Sequence, residues 1–495
     1  MPFRRGVPHV GVFGVLFFAA ALFLRLALVS KGPFHSDTMS LALSARQTLE
    51  TGRLQYTHGD GHPFAVVVAA AFVVLAKAGG SSDIVFAVNL MSVVFGAVSV
   101  ALLFLVTGKM FGPRAAAAAG FLGVFFAPHV AVSTFGSSMT LAMSLALASL
   151  WFLLRYLQPA HRTRDLAGAA VCLGLCGATR LSEMVFAVPL GFLLATAALP
   201  LSERLRSFGR AAILTLGTCL LFFLPLLAGV GTAQFRFVLT NPYQAVFMGP
   251  FSSKLMLSFA FLLKGVGLFG CGVSLAGVCG LIRARQGRLL LFLALWFVVF
   301  QFLYGNLSSV AMRYLIVGWF PLVILEGYAL DRLFSAHRTV LSVSAWVLLG
   351  ILAVRVLEFL PVLAFRHARS LQIEFARWVG RTTDPKSVII AVDERQIIGT
   401  YGRRPTLGHP TDADPASIEL YFRESVDPLL ASGIPVYIIS SAMAYDTQGV
   451  FYRAVHDRYR LAERGARVIE DWHHVLLGSR FLREDLFEIQ RKEGP

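Results

Sequence analysis

Long apolar runs separated by short polar stretches fill the first three quarters of the chain, and shorter runs alternate with polar segments in the last quarter. Runs near 9–30, 84–107, 115–133, 139–157, 166–182, 184–200, 211–230, 260–281, 289–305, 313–329 and 339–361 approach the ~20 residues that carry a helix across a bilayer core. The pattern predicts eleven membrane-spanning helices. A further run at 64–78 is shorter and carries Lys77 near its end, so it predicts a juxtamembrane or half-inserted helix on the outer side.

The basic residues orient these helices. Lys109 and Arg114, Arg162 and Arg164, Arg204, Arg206 and Arg210, Arg283, Arg285 and Arg288, and Arg332 and Arg338 all fall in alternate loops if the 64–78 run does not cross. Those loops are then cytoplasmic, with the basic N-terminus (Arg4, Arg5) as an uncleaved start on the same side. The base-poor stretches 31–83 and 230–259, and the C-terminal tail, are then outside.

The tail reads differently. β-rich runs at 387–392, 435–439 and from 468 onward alternate with helical patterns near 367–380, 415–431 and 449–463, which predicts a small α/β layer domain with a partly parallel sheet. No glycine-rich phosphate loop follows its first strand, where Asp393-Glu394-Arg395-Gln396 stands instead, so a binding or docking accessory is expected. The fold class is therefore mainly α, a polytopic membrane protein of about eleven transmembrane helices plus outer juxtamembrane helices, with a small C-terminal α/β domain. Residues 1–364 form the membrane domain and 365–495 the accessory domain.

Composition sharpens this picture. An apolar fraction of 56% with only 15% charged residues excludes a soluble globule. The net charge of +16 comes from the membrane part, because residues 365–495 carry 18 Lys/Arg against 18 Asp/Glu. Bases spread through short loops mark topology and not a nucleic-acid surface. All five cysteines lie in apolar runs; Cys172 and Cys176 share a helix face but have no further soft ligand nearby, and no disulfide framework is implied.

Only ten carboxylates precede residue 365, and six of them, Asp37, Glu50, Asp60, Asp83, Glu183 and Glu358, fall at or near the outer surface. Asp37 follows His35 and stands before a helical pattern at 39–50, where it is either an N-terminal helix residue or a reactive acid. His58, Asp60 and His62 recur at alternate positions with glycine between them; this spacing offers ligands to a divalent metal and equally describes a turn ahead of Pro63. Among the cations, Arg313-Tyr314 opens a span, Arg180 sits between two spans, and Lys264 lies within an apolar run, where it either serves a site or snorkels to headgroups. The stretch 234–254, with Arg236, Tyr243 and Asn241-Pro242, is a candidate lid.

Several of these residues occur in a familiar order. An outer-loop Asp37 after the first helix, Gly52-Arg53 closing the next, His62-Pro63 opening a short apolar helix, and Asn89-Leu90-Met91-Ser92-Val93-Val94-Phe95-Gly96-Ala97 resemble the GT-C superfamily of polytopic glycosyltransferases. Gly177-Ala178-Thr179-Arg180-Leu181 and Met312-Arg313-Tyr314-Leu315 are similar to later segments of the protein O-mannosyltransferase and aminoarabinose-transferase type. The resemblance implies a periplasm-facing enzyme of a bacterial inner membrane. Such an enzyme transfers a monosaccharide, with inversion, from a polyprenyl-phosphate donor to a lipid, glycan or protein acceptor. It implies Asp37 as the catalytic acid, with Arg313, Tyr314 and Arg180 as donor-phosphate candidates, to which Lys264 is added by its place in an apolar run alone. The family's second outer acid has no counterpart, since Phe135-Gly136-Ser137-Ser138-Met139 stands in its place; Asp60 or Glu183 substitutes, or one acid suffices. A transporter or flippase of lipid-linked glycans, which would call for inverted repeats and interrupted helices, and a catalytically inactive scaffold are the alternatives.

Overall fold

The computed structural model describes residues 10–55, 62–159, 161–232, 236, 251–305, 311–336, 339–410, 414–444, 449–471, 476–478 and 480–492. Its chain divides into two compact units, one of Met1–Ser30, Ser40–His367 and Leu476–Gly478, the other of Lys31–Met39, Ala368–Val475 and Ser479–Pro495. The short segment Lys31–Met39 that carries His35 and Asp37 thus groups with the second unit.

The first unit is helical: α1 (Val10–Leu26), α2 (Ser36–Thr51, begun in the other unit), α3 (Pro63–Ala78), α4 (Ile84–Phe111), α5 (Pro113–Phe125), α6 (Ala127–Ser133), α7 (Ser138–Tyr156) and α8 (Thr163–Thr179). A 3-10 turn at Leu181–Phe186 leads into α9 (Ala187–Ala195) and α10 (Leu201–Val230). Then come α11 (Phe251–Gly265), α12 (Gly267–Arg283), α13 (Gly287–Gly305), α14 (Met312–Phe334), α15 (Thr339–Val354) and α16 (Val356–Ala368). Among the described residues six helices are long and apolar enough to cross a membrane, or up to eight if each bent pair is one span. Eleven were expected; α1, α3 and the 3-10–α9 segment are apolar but shorter.

Local chemistry explains where the helices start and bend. Asp83 caps α4 by accepting from Val85 N (2.9 Å) and Phe86 N (3.2 Å). Gly112, at φ 103°, ends α4, and Pro113 starts α5. The α5–α6 pair bends by 55°, and Pro128 supplies no N–H to the carbonyl of Val124 one turn earlier. Arg25, buried on α1, fills the gap: Nη1 donates to Ala21 O (3.1 Å) and Val124 O (3.5 Å), and Nη2 donates to Gly123 O (3.4 Å) and meets His129 Nδ1 at 2.8 Å. His129 Nε2 in turn lies 2.9 Å from Ser99 Oγ. The α11–α12 pair turns by 94° at Gly267, whose φ is +81°. Arg355 Nη2 donates to the freed carbonyl of Lys264 at 3.0 Å, and a Cβ at Gly267 would stand 1.4 Å from Arg355 Nη1.

Helices α4, α7, α8 and α10 pack in series, and α14 lies against α5 and α12 with Trp319, Phe320 and Leu315 in the core. At one end of this bundle Arg204 Nη1 donates to Ala195 O (2.6 Å), while Arg288 donates through Nε to Thr196 Oγ1 (2.9 Å) and through Nη2 to Leu193 O (2.7 Å), satisfying the carbonyls at the end of α9.

The second unit holds a five-stranded sheet in the order β2-β1-β3-β5-β4, with β1 Val388–Ile390, β2 Thr406–Leu407, β3 Val436–Ile439, β4 Tyr459–Glu470 and β5 Phe481–Arg491. β1 pairs in parallel with β2 and β3, whereas β5 runs antiparallel to both β3 and β4. The partly parallel sheet was expected, but the helical pattern over 449–463 was not kept: the helix stops at Arg458 and Tyr459 begins a strand. Pairing with β5 from Tyr459↔Arg491 to Glu470↔Phe481 overrides the local preference. The 415–431 pattern is a continuous helical stretch with a wider π turn at Phe422–Val426 between Pro415–Tyr421 and Asp427–Ala431.

Candidate functional site

Four segments of the helical unit, near residues 138, 180, 304 and 313, converge on one polar cluster. Helix α8 ends at Arg180, whose extended backbone (φ −151°, ψ 113°) turns the chain into the 3-10 segment and places Arg180 and Glu183 on one turn. Both side chains are almost fully enclosed, at 6% and 2% exposure. Arg180 Nε stands 4.0 Å from Glu183 Oε1, and Arg180 Nη1 donates to Ser138 Oγ at 3.3 Å. Tyr304, from the end of α13, donates its hydroxyl hydrogen to Glu183 Oε1 (2.7 Å) and lies 2.8 Å from Ser182 Oγ.

The first turn of α14 completes the cluster. The Tyr314 ring stacks on Tyr304 with centroids 5.7 Å apart and planes 17° apart. Arg180 and Arg313 both lie near the Tyr314 ring, 5.5 and 4.7 Å from its centroid, and Arg313 Nη2 donates to the Tyr314 hydroxyl at 2.9 Å. An aromatic face softens the mutual repulsion of two guanidinium groups held close together. Two arginines against one carboxylate leave the formal charge of the cluster positive. Planar guanidinium forks match the oxygens of a phosphate. Glu183 Oε2 is buried and has no hydrogen-bond partner among the described residues.

Arg180, Glu183, Arg313 and Tyr314, four residues singled out along the sequence, are therefore brought together. Tyr304 and Ser182 were missed: a tyrosine at the end of an apolar run and a serine in a turn give no signal until the helices are packed. His62 joins the edge of the group, because its Nδ1–H donates to Thr179 O at 2.7 Å and fixes the residue before Arg180. His58 and Asp60 lie outside the described residues, as does the candidate lid except for Arg236 and the start of α11. Among the described residues no group of three His, Cys, Asp or Glu is arranged to hold a metal ion.

Lys264 goes elsewhere. It is exposed on the last turn of α11, beside the Arg355-braced bend. In the second unit, Asp37 occupies the first turn of α2 with 28% of its side chain exposed; His35 Nδ1 lies 3.1 Å from both Asp37 N and Asp37 Oδ1. The imidazole is held between the backbone and the carboxylate it adjoins.

A cavity of about 300 Å³ opens among α7, α8, α9 and α10, lined by Leu153, Leu173, Met184, Leu190, Leu194 and Phe208 and almost wholly apolar. None of Arg180, Glu183, Tyr304, Arg313 and Tyr314 lines it, and its α8 wall is the stretch Leu166–Leu173, away from the Arg180 end of that helix.

The family described as dolichyl-phosphate-mannose-protein mannosyltransferase matches residues 62–228, about a third of the chain, a span that includes His62, Arg180 and Glu183. No curated protein matches the sequence. Among solved structures, ArnT from Cupriavidus metallidurans bound to undecaprenyl phosphate is 17% identical, with 97% of this chain and 98% of that one covered and a TM-score of 0.65; its apo form gives 18% and 0.64 over the same coverage. The Archaeoglobus fulgidus oligosaccharyltransferase tethered to an acceptor peptide is 12% identical over 91% of this chain and 72% of that one, with a TM-score of 0.59. The mycobacterial arabinofuranosyltransferase AftD is 13% identical over 99% and 42%, with a TM-score of 0.55. These likenesses establish that the chain has the ArnT-type GT-C fold.

Proposed function

We propose that this protein is a membrane glycosyltransferase that moves a monosaccharide from a polyprenyl-phosphate donor to a lipid, glycan or protein acceptor on the periplasmic face of a bacterial inner membrane. The observation that carries the reading is the Arg180–Glu183–Tyr304–Tyr314–Arg313 cluster, enclosed at Arg180, Glu183 and Tyr304 and half-buried at Arg313 and Tyr314, set in a fold shared with a protein crystallised with undecaprenyl phosphate. As the glycosidic bond to phosphate breaks, negative charge grows on the departing oxygen, and preorganised cationic donors stabilise it. Arg180 and Arg313 serve that role here. Glu183, bonded to Tyr304 and beside Arg180, orients both; we assign it to positioning instead of proton abstraction.

Asp37 takes the role of base on the acceptor hydroxyl, a role resting on the motif order and on its partly open carboxylate. With one such acid and direct attack on the sugar carbon, the product is inverted. The basic loops support a cytoplasmic N-terminus and an outer C-terminal unit. Lys264 leaves the donor set, because its exposed position fits snorkelling.

One observation favours the transporter alternative: the two bent helix pairs are the interrupted spans such a protein uses. A single experiment separates the two. Mass spectrometry of cellular glycolipids, surface glycans and secreted proteins, with and without the gene, identifies the product; complementation with Arg180→Ala should lower it about tenfold to a hundredfold, and Asp37→Asn should abolish it. Full product from both variants would overturn the transferase reading.

A further inference from the structure

The turn that holds Arg180 in place is itself held from α4. Residues 134–137 interrupt helical structure between α6 and α7; Thr134 bonds backbone at Ala131 and Ser30, whereas Gly136 and Ser137 are met by side chains. Asn89 and Ser92, one helical turn apart on α4 and fully enclosed, supply them. The Asn89 amide uses both ends: Nδ2 donates to Ser30 O at 2.8 Å, and Oδ1 accepts from Gly136 N at 2.6 Å. The Ser92 hydroxyl does the same for a single residue, accepting from Ser137 N (2.7 Å) and donating to Ser137 O (3.1 Å). The next residue, Ser138, accepts from Arg180 Nη1. The chain of contacts therefore runs from α4, through two adjacent peptide groups, to the guanidinium.

We propose that Asn89 and Ser92 are positioning residues for the phosphate site: by pinning the 136–137 backbone they set where Ser138 stands and thereby aim Arg180. This rests on the donor-phosphate role given to Arg180 above and adds the element that tunes it. Both side chains act through backbone, at Ser30, Gly136 and Ser137. Ser30 O, the other atom Asn89 holds, lies seven residues before Asp37 in the chain, so the same amide also anchors the exit of the segment that carries the proposed base.

Binding of undecaprenyl phosphate to the full-length protein in detergent, followed by native mass spectrometry, tests the idea without knowledge of the sugar. Asn89→Ala and Ser92→Ala should each weaken binding about tenfold, the scale of one misplaced charge-assisted bond, while Ser92→Thr, which keeps the hydroxyl, should restore affinity to within about twofold. Thr107→Ala is the comparison: it removes another enclosed hydroxyl from α4, one bonded only within that helix at 2.8 Å (Leu103 O), and should cost thermal stability without changing affinity. If Asn89→Ala does not fold, Ser92→Ala and its Thr partner still decide the matter. Wild-type affinity in Ser92→Ala, or equal weakening in Thr107→Ala, would overturn the proposal and leave the donor reading standing. A wild-type protein that binds no undecaprenyl phosphate would overturn that reading, and this proposal with it.

Discussion

Arg25 and Arg483 carry the same guanidinium into opposite surroundings. In the helical unit Arg25 is completely enclosed and reaches three backbone carbonyls and His129. In the sheet unit Arg483 is 67% exposed and pairs with Asp485 (2.7 Å) and Glu463 (3.1 Å) while remaining open to water. Charges are sparser along the membrane part, 36 in residues 1–364 against 36 in residues 365–495, and enclosed ones such as Arg25, Arg180 and Glu183 sit at the α5–α6 bend or in the candidate site; in the sheet unit most charges are at the surface. The difference follows from solvent. Where water is absent a polar group must be paired or must serve a purpose, and where water is present ion pairs contribute little.

The strongest way to break this contrast is Arg25→Met, which keeps the side-chain length and removes the donors. It strands His129 and the carbonyls of Gly123 and Val124 at the α5–α6 bend, and the loss should be about 3 kcal/mol, seen as a lower midpoint of thermal unfolding in detergent. An unchanged midpoint would mean that the bend holds itself.

Glu394 sharpens the comparison, because it is the case in which the sheet unit behaves like the membrane one. Enclosed after β1, it accepts from Ser441 Oγ at 3.1 Å, while Glu484, also enclosed, accepts from Ser441 N at 2.7 Å. Burial first, then the neighbouring charges of Glu484 and Asp393, pushes the Glu394 carboxyl up to about 8, and burial likewise raises Glu484. The folded unit keeps Glu394 protonated where the unfolded chain would release the proton. Its favourable contribution is thus complete below pH ~4.5 and is lost as pH rises toward 8, at about 1.4 kcal/mol per pH unit. Between pH 5 and 6.5 the β1 and β3 amides should lose roughly 2 kcal/mol of protection in hydrogen exchange on the full-length protein, and Glu394→Gln should flatten that slope. A slope that survives the substitution would assign the proton to Glu484.

The smallest effect belongs to Arg483→Ala. Removing this exposed cation should change the same exchange protection by less than about 0.5 kcal/mol, and less still in high salt. A larger loss would show that the surface pairs act as a network.

Much of the candidate site could be read along the chain, and the reason is specific. Arg180, Arg313 and Glu183 stand out because ionisable residues in or between apolar runs are rare. Arg25 was passed over because it sits close to the end of its run, where a base usually signals topology. Tyr304 and Ser138 are ordinary residues for the ends of membrane helices, and only the packing of α13 and α7 against the Arg180 turn gives them meaning. The strand at 459–470 was misread as partly helical, since its partner β5 is remote in sequence and pairing with it outweighs local preference.

The apolar runs, the basic loops and the polar tail by themselves determined a polytopic helical protein with a small α/β unit, because transfer of side chains from water to hydrocarbon depends on composition and length alone. Which helices bend, and which charges meet, was decided by tertiary structure. The 94° turn at Gly267 is braced by Arg355, from the turn between α15 and α16 some ninety residues away, and the phosphate-site candidates converge from segments near 138, 180, 304 and 313. Hydrogen bonds and ring contacts act over a few ångströms in space, so separation along the chain carries no record of them.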